Sequence, residues 1–245
     1  MPVEKNITSS SIETAAMPDG LERPENVFRR VFRRYFPFIF ILWILFVLYP
    51  NPLNLIISIQ RVFNFDADPG AVESVLDDLP SDPAAIEEAV LAGIPYRYDW
   101  ELYSMPWYFP TVGEVLERGE GDCKARALVF ASVLEAKSIP YQVHSSPMHV
   151  WVEYEGKQET SIENAQVEFY QYDPETGERQ FQVPDIGLGK LMDYWQRQFW
   201  TPMPDGRKAL LISGLSALIA ARVILRKKKT AQYVTMTEKR EPISV

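Results

Sequence analysis

"GEGDCKARALVFASVLEAKSIP" (residues 119–140) decides how this chain is read. Two glycines frame an acidic loop, a helix opens at Cys123, and Pro140 stops it. Cys123, Ala127, Phe130, Ala131 and Leu134 follow helical spacing, and most positions between them are apolar too. A helix apolar nearly all round belongs at the centre of its domain. Cys123 is also the only cysteine in 245 residues, so no internal disulfide can form and the thiol is free or pairs between chains.

The elements around this helix predict an α+β layout, with helices ahead of it and strands behind. "SDPAAIEEAVLAGIPY" (81–96) reads as a helix with Asp82 as N-cap, Pro83 in its first turn, an apolar face of Ile86, Ala89 and Val90, and an end at Gly93 and Pro95. "PTVGEVLERGEGD" (110–122) gives a short turn or helix running into the glycine loop. Downstream, "YQVHSS" (141–146) is a short strand and "HVWVEYEG" (149–156) alternates well. "QETSIENA" (158–165) is expected to return beside it across the Gly156-Lys157 turn. "VEFYQYDPETGERQF" (167–181) reads as a hairpin closed by Asp173-Pro174-Glu175-Thr176-Gly177. No internal repeat is found.

Two apolar segments flank this domain. "YFPFIFILWILFVLYPNPLNLIISI" (35–59) reads as a membrane span. Its uninterrupted part covers only about 22 Å as a helix, so the span is expected to continue past Pro50 and Pro52 with a kink. "ALLISGLSALIAARVIL" (209–225) is the second, with Arg222 able to snorkel to the interface. Arg29, Arg30, Arg33 and Arg34 precede the first span, and Arg226 and Lys227–Lys229 follow the second. Positive flanks stay cytoplasmic, which predicts both termini inside and residues 66–208 outside. Residues 66–208 hold 26 Asp/Glu against 11 Lys/Arg, a net of −15, while the rest nets +7. An acidic domain between two basic-flanked anchors implies membrane lipid as a partner and excludes nucleic acid. The tails 1–34 and 226–245 are polar, end in basic runs beside the spans and read as unstructured. Asn6-Ile7-Thr8 matches a glycosylation sequon on the wrong side of the membrane for use.

A thiol at a helix start meets unsatisfied backbone N–H groups and the positive end of the helix dipole, which favour the nucleophilic thiolate. Gly119 and Gly121 allow a tight turn and leave room for a substrate to approach. Glu120 and Asp122 oppose a thiolate, though Asp122 can serve as N-cap; a cationic partner is therefore sought. Only His144 and His149 are available. His149 opens the best strand, sharing a face with Trp151 and Glu153. A Cys–His pair needs a third group to orient the imidazole, and Glu163 on the following strand is the candidate, with Asn164 beside it. His144 lies in a polar stretch and is the weaker choice. A metal site of Cys123, His144, His149 and Glu163 has no short-range ligand spacing behind it, and no compact loop suggests calcium.

"PTVGEVLERGEGDCKARALVFASVLEAKSIPYQV" (110–143) followed by "HVWVEYEGK" (149–157) resembles the core of the transglutaminase-like superfamily, a papain-like fold. The preceding "IPYRYD" (94–99) fits that pattern's approach, and the resemblance covers roughly residues 80–165. It implies Cys123 as nucleophile and His149 as general base and acid. The family's third member is usually Asp on the strand after the histidine; here "SIEN" (161–164) puts Glu163 there. Such enzymes cleave amide bonds through a thioester and pass the acyl group to water or an amine. Some relatives add an aromatic donor upstream of the cysteine, for which Trp107 and Tyr108 are candidates, while Trp151 is expected beside the catalytic pair. The resemblance implies a membrane-anchored cysteine peptidase or amidase acting on a peptide or protein without a cofactor, hydrolysis being preferred to cross-linking. The alternatives are a noncatalytic binding or assembly module of the cell envelope, and a redox thiol.

Overall fold

A computed structural model describes residues 24–238; the remainder of the expected tail at 1–34, the sequon at Asn6 and the last seven residues lie outside the described residues. Two compact units divide the chain, one built from the segments up to Ile41 and from Ala217 onward, the other from Leu42–Ser216.

Among the described residues two helices are long and apolar enough to cross a membrane: Arg29–Leu48 within helix α1 (Pro24–Leu48), and Asp205–Arg226 within the last described helix (Asp205–Glu238). Two expectations change here. Residues 24–34 and 226–238, read as unstructured, continue these helices. The apolar run 35–59 is not one kinked helix: α1 stops at Leu48, and α2 (Pro52–Phe63) starts afresh with Asn51 as its N-cap, the Asn51 side chain accepting from Leu53 N. Pro50 and Pro52 cannot donate to a continuing helical ladder, and Pro52 is preorganised for a first turn. In the smaller unit, the Arg222 guanidinium lies 4.2 Å above the Phe36 ring.

Within the larger unit α2 packs on the domain. Ser58 is fully buried, its Oγ accepting from Phe109 N at 3.0 Å, and Arg61 donates to Phe109 O at 2.9 Å and to Glu114 at 3.1 Å. A 3-10 turn (Glu73–Asp78) leads to α3 (Pro83–Gly93), where Asp82 accepts from Ala85 N as the sequence predicts. Next come α4 (Asp99–Leu102), α5 (Val112–Arg118) and α6 (Cys123–Ala136). Thr111 and Glu114 cap α5 reciprocally, and Gly119 closes it at φ +66°, a left-handed conformation that glycine adopts without a Cβ penalty.

α6 is the central element. Ala125 and residues 127–134 are buried between Ile86 and Val90 of α3, Val112 and Val115 of α5, and Val143 and Val152 of the sheet. Full burial of one such aliphatic side chain contributes about 1.5–3 kcal/mol. The sheet has four antiparallel strands, β1 (Gln142–Ser145), β2 (Val150–Glu153), β3 (Tyr170–Tyr172) and β4 (Arg179–Phe181), in the order β2-β1-β3-β4. His144 faces Trp151 across β1–β2, and Gln171 across β1–β3. The β3–β4 hairpin closes where predicted, with Asp173 accepting from Glu175 N and Thr176 N and Gly177 at φ +72°. "QETSIENA" is the exception: residues 158–165 form an irregular, bent loop, not a strand. Its one large apolar residue, Ile162, is exposed, so no alternating face is available to bury.

Gly121 sits where a Cβ would lie 2.5 Å from Ala125 Cβ. Gly121→Ala should destabilise the chain by about 1–3 kcal/mol, because neither the loop nor the buried helix can give way. Thermal unfolding in detergent measures this against Gly119→Ala, where the cost is conformational, about 1 kcal/mol.

Candidate active site

The close approach at Gly121 seats the loop on α6. Gly121 N donates to Pro95 O and Arg97 N to Gly121 O, both at 3.1 Å, so Tyr96 is drawn alongside the loop that delivers Cys123. Asp122 caps α6, accepting from Ala125 N. Cys123 is therefore the first residue of the helix, and it is half-buried.

The carboxylates next to the sulfur are paired. Lys124 is buried and bonds Asp99 at 2.6 Å and Asp122 as well, while Glu120 meets Arg97 at 3.4 Å. Burial disfavours the Lys124 ammonium, but Asp122 and Asp99 outweigh it and hold Lys124 above its ordinary value. Lys124 was not singled out from the sequence; a lysine immediately after the cysteine, inside an apolar helix, was the available signal.

His149 lies at the end of a turn tied by Ser146, whose Oγ accepts from Met148 N and His149 N and whose N donates to His149 O. Its Nε2 stands 2.7 Å from Glu163 Oε1, which leaves Nδ1 as the ring nitrogen open to another partner, and Cys123 lines the same two cavities as the ring. The Trp151 ring lies parallel to His149, 9° between planes and 6.1 Å between centroids. Burial alone would lower the imidazole pKa; interaction with Cys123 and Glu163 outweighs it and pushes it up to about 9.

Glu163 projects from the turn region, where Thr160 Oγ1 accepts from Glu163 N at 3.1 Å. Its second oxygen meets Lys157 Nζ at 3.3 Å. Lys157 is nearly buried and also bonds Glu87 Oε1 at 2.9 Å and Val152 O at 2.8 Å; Tyr154 donates to the other Glu87 oxygen. Burial raises the Glu163 pKa, but His149 and Lys157 outweigh it and hold the carboxyl below the usual range. Lys157 and Glu87 escaped the sequence reading because they are distant in the chain and read as solvated charges.

The other sequence candidates lie apart. Asn164 holds the loop, donating to Thr160 O and accepting from Gln166 N. His144 is buried against Trp151 and pairs through Nδ1 with Glu168 at 2.9 Å. Tyr108 turns to Glu114 and Arg61, whereas Trp107 lines a cavity whose wall also holds Cys123 and His149. The phenols close to Cys123 are Tyr96 and Tyr194; burial pushes both up, and Cys123 adds to that push. Tyr96 donates to Gln198 Oε1 at 3.2 Å.

Two cavities, of about 510 and 380 Å³, share Cys123, His149, Tyr96, Met148, Tyr194 and Gln198 in their walls. The sulfur and the imidazole thus face space large enough for a substrate on either side. Comparison with protein-family models, with curated proteins and with solved structures finds no match.

Because the His149 pKa rises from 6.5 to about 9 on folding, its contribution to stability is complete below pH 6.5 and is lost as pH climbs through 9. Glu163→Gln should lower the His149 pKa, read from its imidazole proton resonances, and should flatten the loss of stability over that window.

Proposed function

We propose that the domain is a membrane-anchored thiol enzyme of transglutaminase-like type that hydrolyses peptide or side-chain amides. The observation that carries this reading is an imidazole hydrogen-bonded to Glu163 that shares the walls of two cavities with Cys123. A Cys-bearing central helix packed on an antiparallel sheet supports a papain-like core.

In the proposed reaction the Cys123 proton passes to His149 and the sulfur attacks the carbonyl carbon of the amide. The oxyanion forms beside the start of α6, where the backbone N–H of Cys123 and the helix dipole stabilise it. His149 returns the proton to the departing amine, leaving an acyl thioester. His149 then takes a proton from water, whose oxygen attacks the thioester; collapse releases the carboxylic acid and restores the thiol. Glu163 holds the ring in the tautomer and rotation this requires and stabilises the imidazolium. Residues 66–208 face the extracytoplasmic side in this reading, with both termini in the cytoplasm.

Iodoacetamide alkylation tests the pair without a known substrate. A model thiol of pKa 8.5 is only about 1% thiolate two pH units below that value. At pH 6.5, His149→Ala should therefore slow alkylation of Cys123 by on the order of tenfold. A rate that follows a free model cysteine in both proteins would instead favour the noncatalytic module. Protease added outside intact cells should cut within residues 66–208; protection there reverses the topology.

A further inference from the structure

Helix α7 (Leu188–Trp195), with the single π turn Gln196–Trp200 that continues it, carries two chemically distinct faces. Lys190, Asp193, Tyr194, Arg197 and Gln198 recur at helical spacing and line the cavities around Cys123. At 100° per residue, Leu188, Leu191, Met192 and Trp195 fall on the opposite side. Leu188 is 80% exposed, Met192 69% and Trp195 51%, the last also reaching the rim of the second cavity. Exposed apolar side chains aligned on one helix face require a partner.

The page supplies one. The C-terminal end of this segment is fastened to the domain-side ends of both membrane-length helices: Phe199 packs against the cluster of Val47, Trp100, Met203 and Leu211, and Phe199 O accepts from Trp100 Nε1 at 2.8 Å. The last helix, α8 (Asp205–Glu238), begins five residues after Trp200. A helix tethered there, with an apolar face and a tryptophan on it, has the character of an interfacial helix. The acidic domain, net −15 over residues 66–208, supplies no electrostatic attraction to anionic headgroups, so apolar burial must carry the contact.

We infer that α7 lies in the membrane interface, with Leu188, Met192 and Trp195 in lipid and its polar face roofing the cavities beside Cys123. The bilayer then forms the outer support of the roof over the candidate site. This assignment rests on the two membrane-length helices and not on the enzyme reading.

Spin labels test it in the full chain carrying Cys123→Ser, reconstituted in phosphatidylcholine nanodiscs, one cysteine at a time: Leu188→Cys, Met192→Cys, Lys190→Cys and Arg197→Cys. Labels at 188 and 192 should be relaxed several-fold more by oxygen than by a water-soluble nickel chelate, and labels at 190 and 197 the reverse. Equal nickel access at all four positions would overturn the assignment, as would dipolar broadening between labels at 192 in discs holding two copies, which marks a second chain as the partner. A second measurement avoids labels: brominated phosphatidylcholine should quench the wild-type tryptophan emission more than that of Trp195→Phe. Equal quenching of the two proteins would count against the proposal. Loss of Cys123 activation in His149→Ala touches neither readout, so failure of the enzyme reading and failure of this one are distinguishable.

Discussion

Everything at the candidate site depends on one imidazole held by a carboxylate beside a cysteine. His149 Nε2 stands 2.7 Å from Glu163, and Cys123 shares the walls of both cavities with the ring. Burial opposes the charged ring, and interaction with Cys123 and Glu163 favours it. Each partner is fixed by a separate local device: the Asp122 cap for Cys123, the Ser146 turn for His149, and the Thr160 turn for Glu163. A ring held by Glu163 and lying parallel to Trp151 loses rotational freedom before any substrate arrives, which is the condition for preorganised proton transfer.

The acidity of the domain raises a problem beside a nucleophilic sulfur, and two lysines address it. Lys124 sits between Asp99 and Asp122, removing their charge from the helix start. Lys157 joins Glu87 to Glu163 and fixes the carboxylate that faces His149. Both ammonium groups are almost wholly out of solvent, where an ion pair persists only with its hydrogen bonds filled. Removing one partner of such a pair costs more than the pair itself contributes, since the remaining charge stays buried.

The helical segment 188–200 links this polar chemistry to the apolar ends of the chain. Tyr194 and Gln198 stand in the walls of both cavities, and Phe199, one residue on, is packed among side chains at the ends of the membrane-length helices. The roof of the site and its attachment are thus parts of one short stretch. Ordering of one bears directly on the other.

Much was legible in the chain itself. Asp82 and Pro83 start a helix, the loop at Gly119–Gly121 closes the short element before Cys123, and the apolar run after Cys123 could only be a central helix; these are local rules of capping and periodicity. The cysteine, the histidine and the carboxylate were named from residue chemistry and order. The break of the apolar run at Pro50–Asn51, the loop in place of a strand at 158–165, and the lysine contacts were not legible. Local sequence determines which elements form and where they stop, because backbone hydrogen bonding and side-chain sterics act within a few residues. Whether 52–59 joins a membrane helix or a domain, and whether Lys124 or Lys157 is solvated or buried, depends on side chains from 25 to 70 positions away. Only tertiary packing brings those groups within bonding distance, and so only it decided the site's electrostatics.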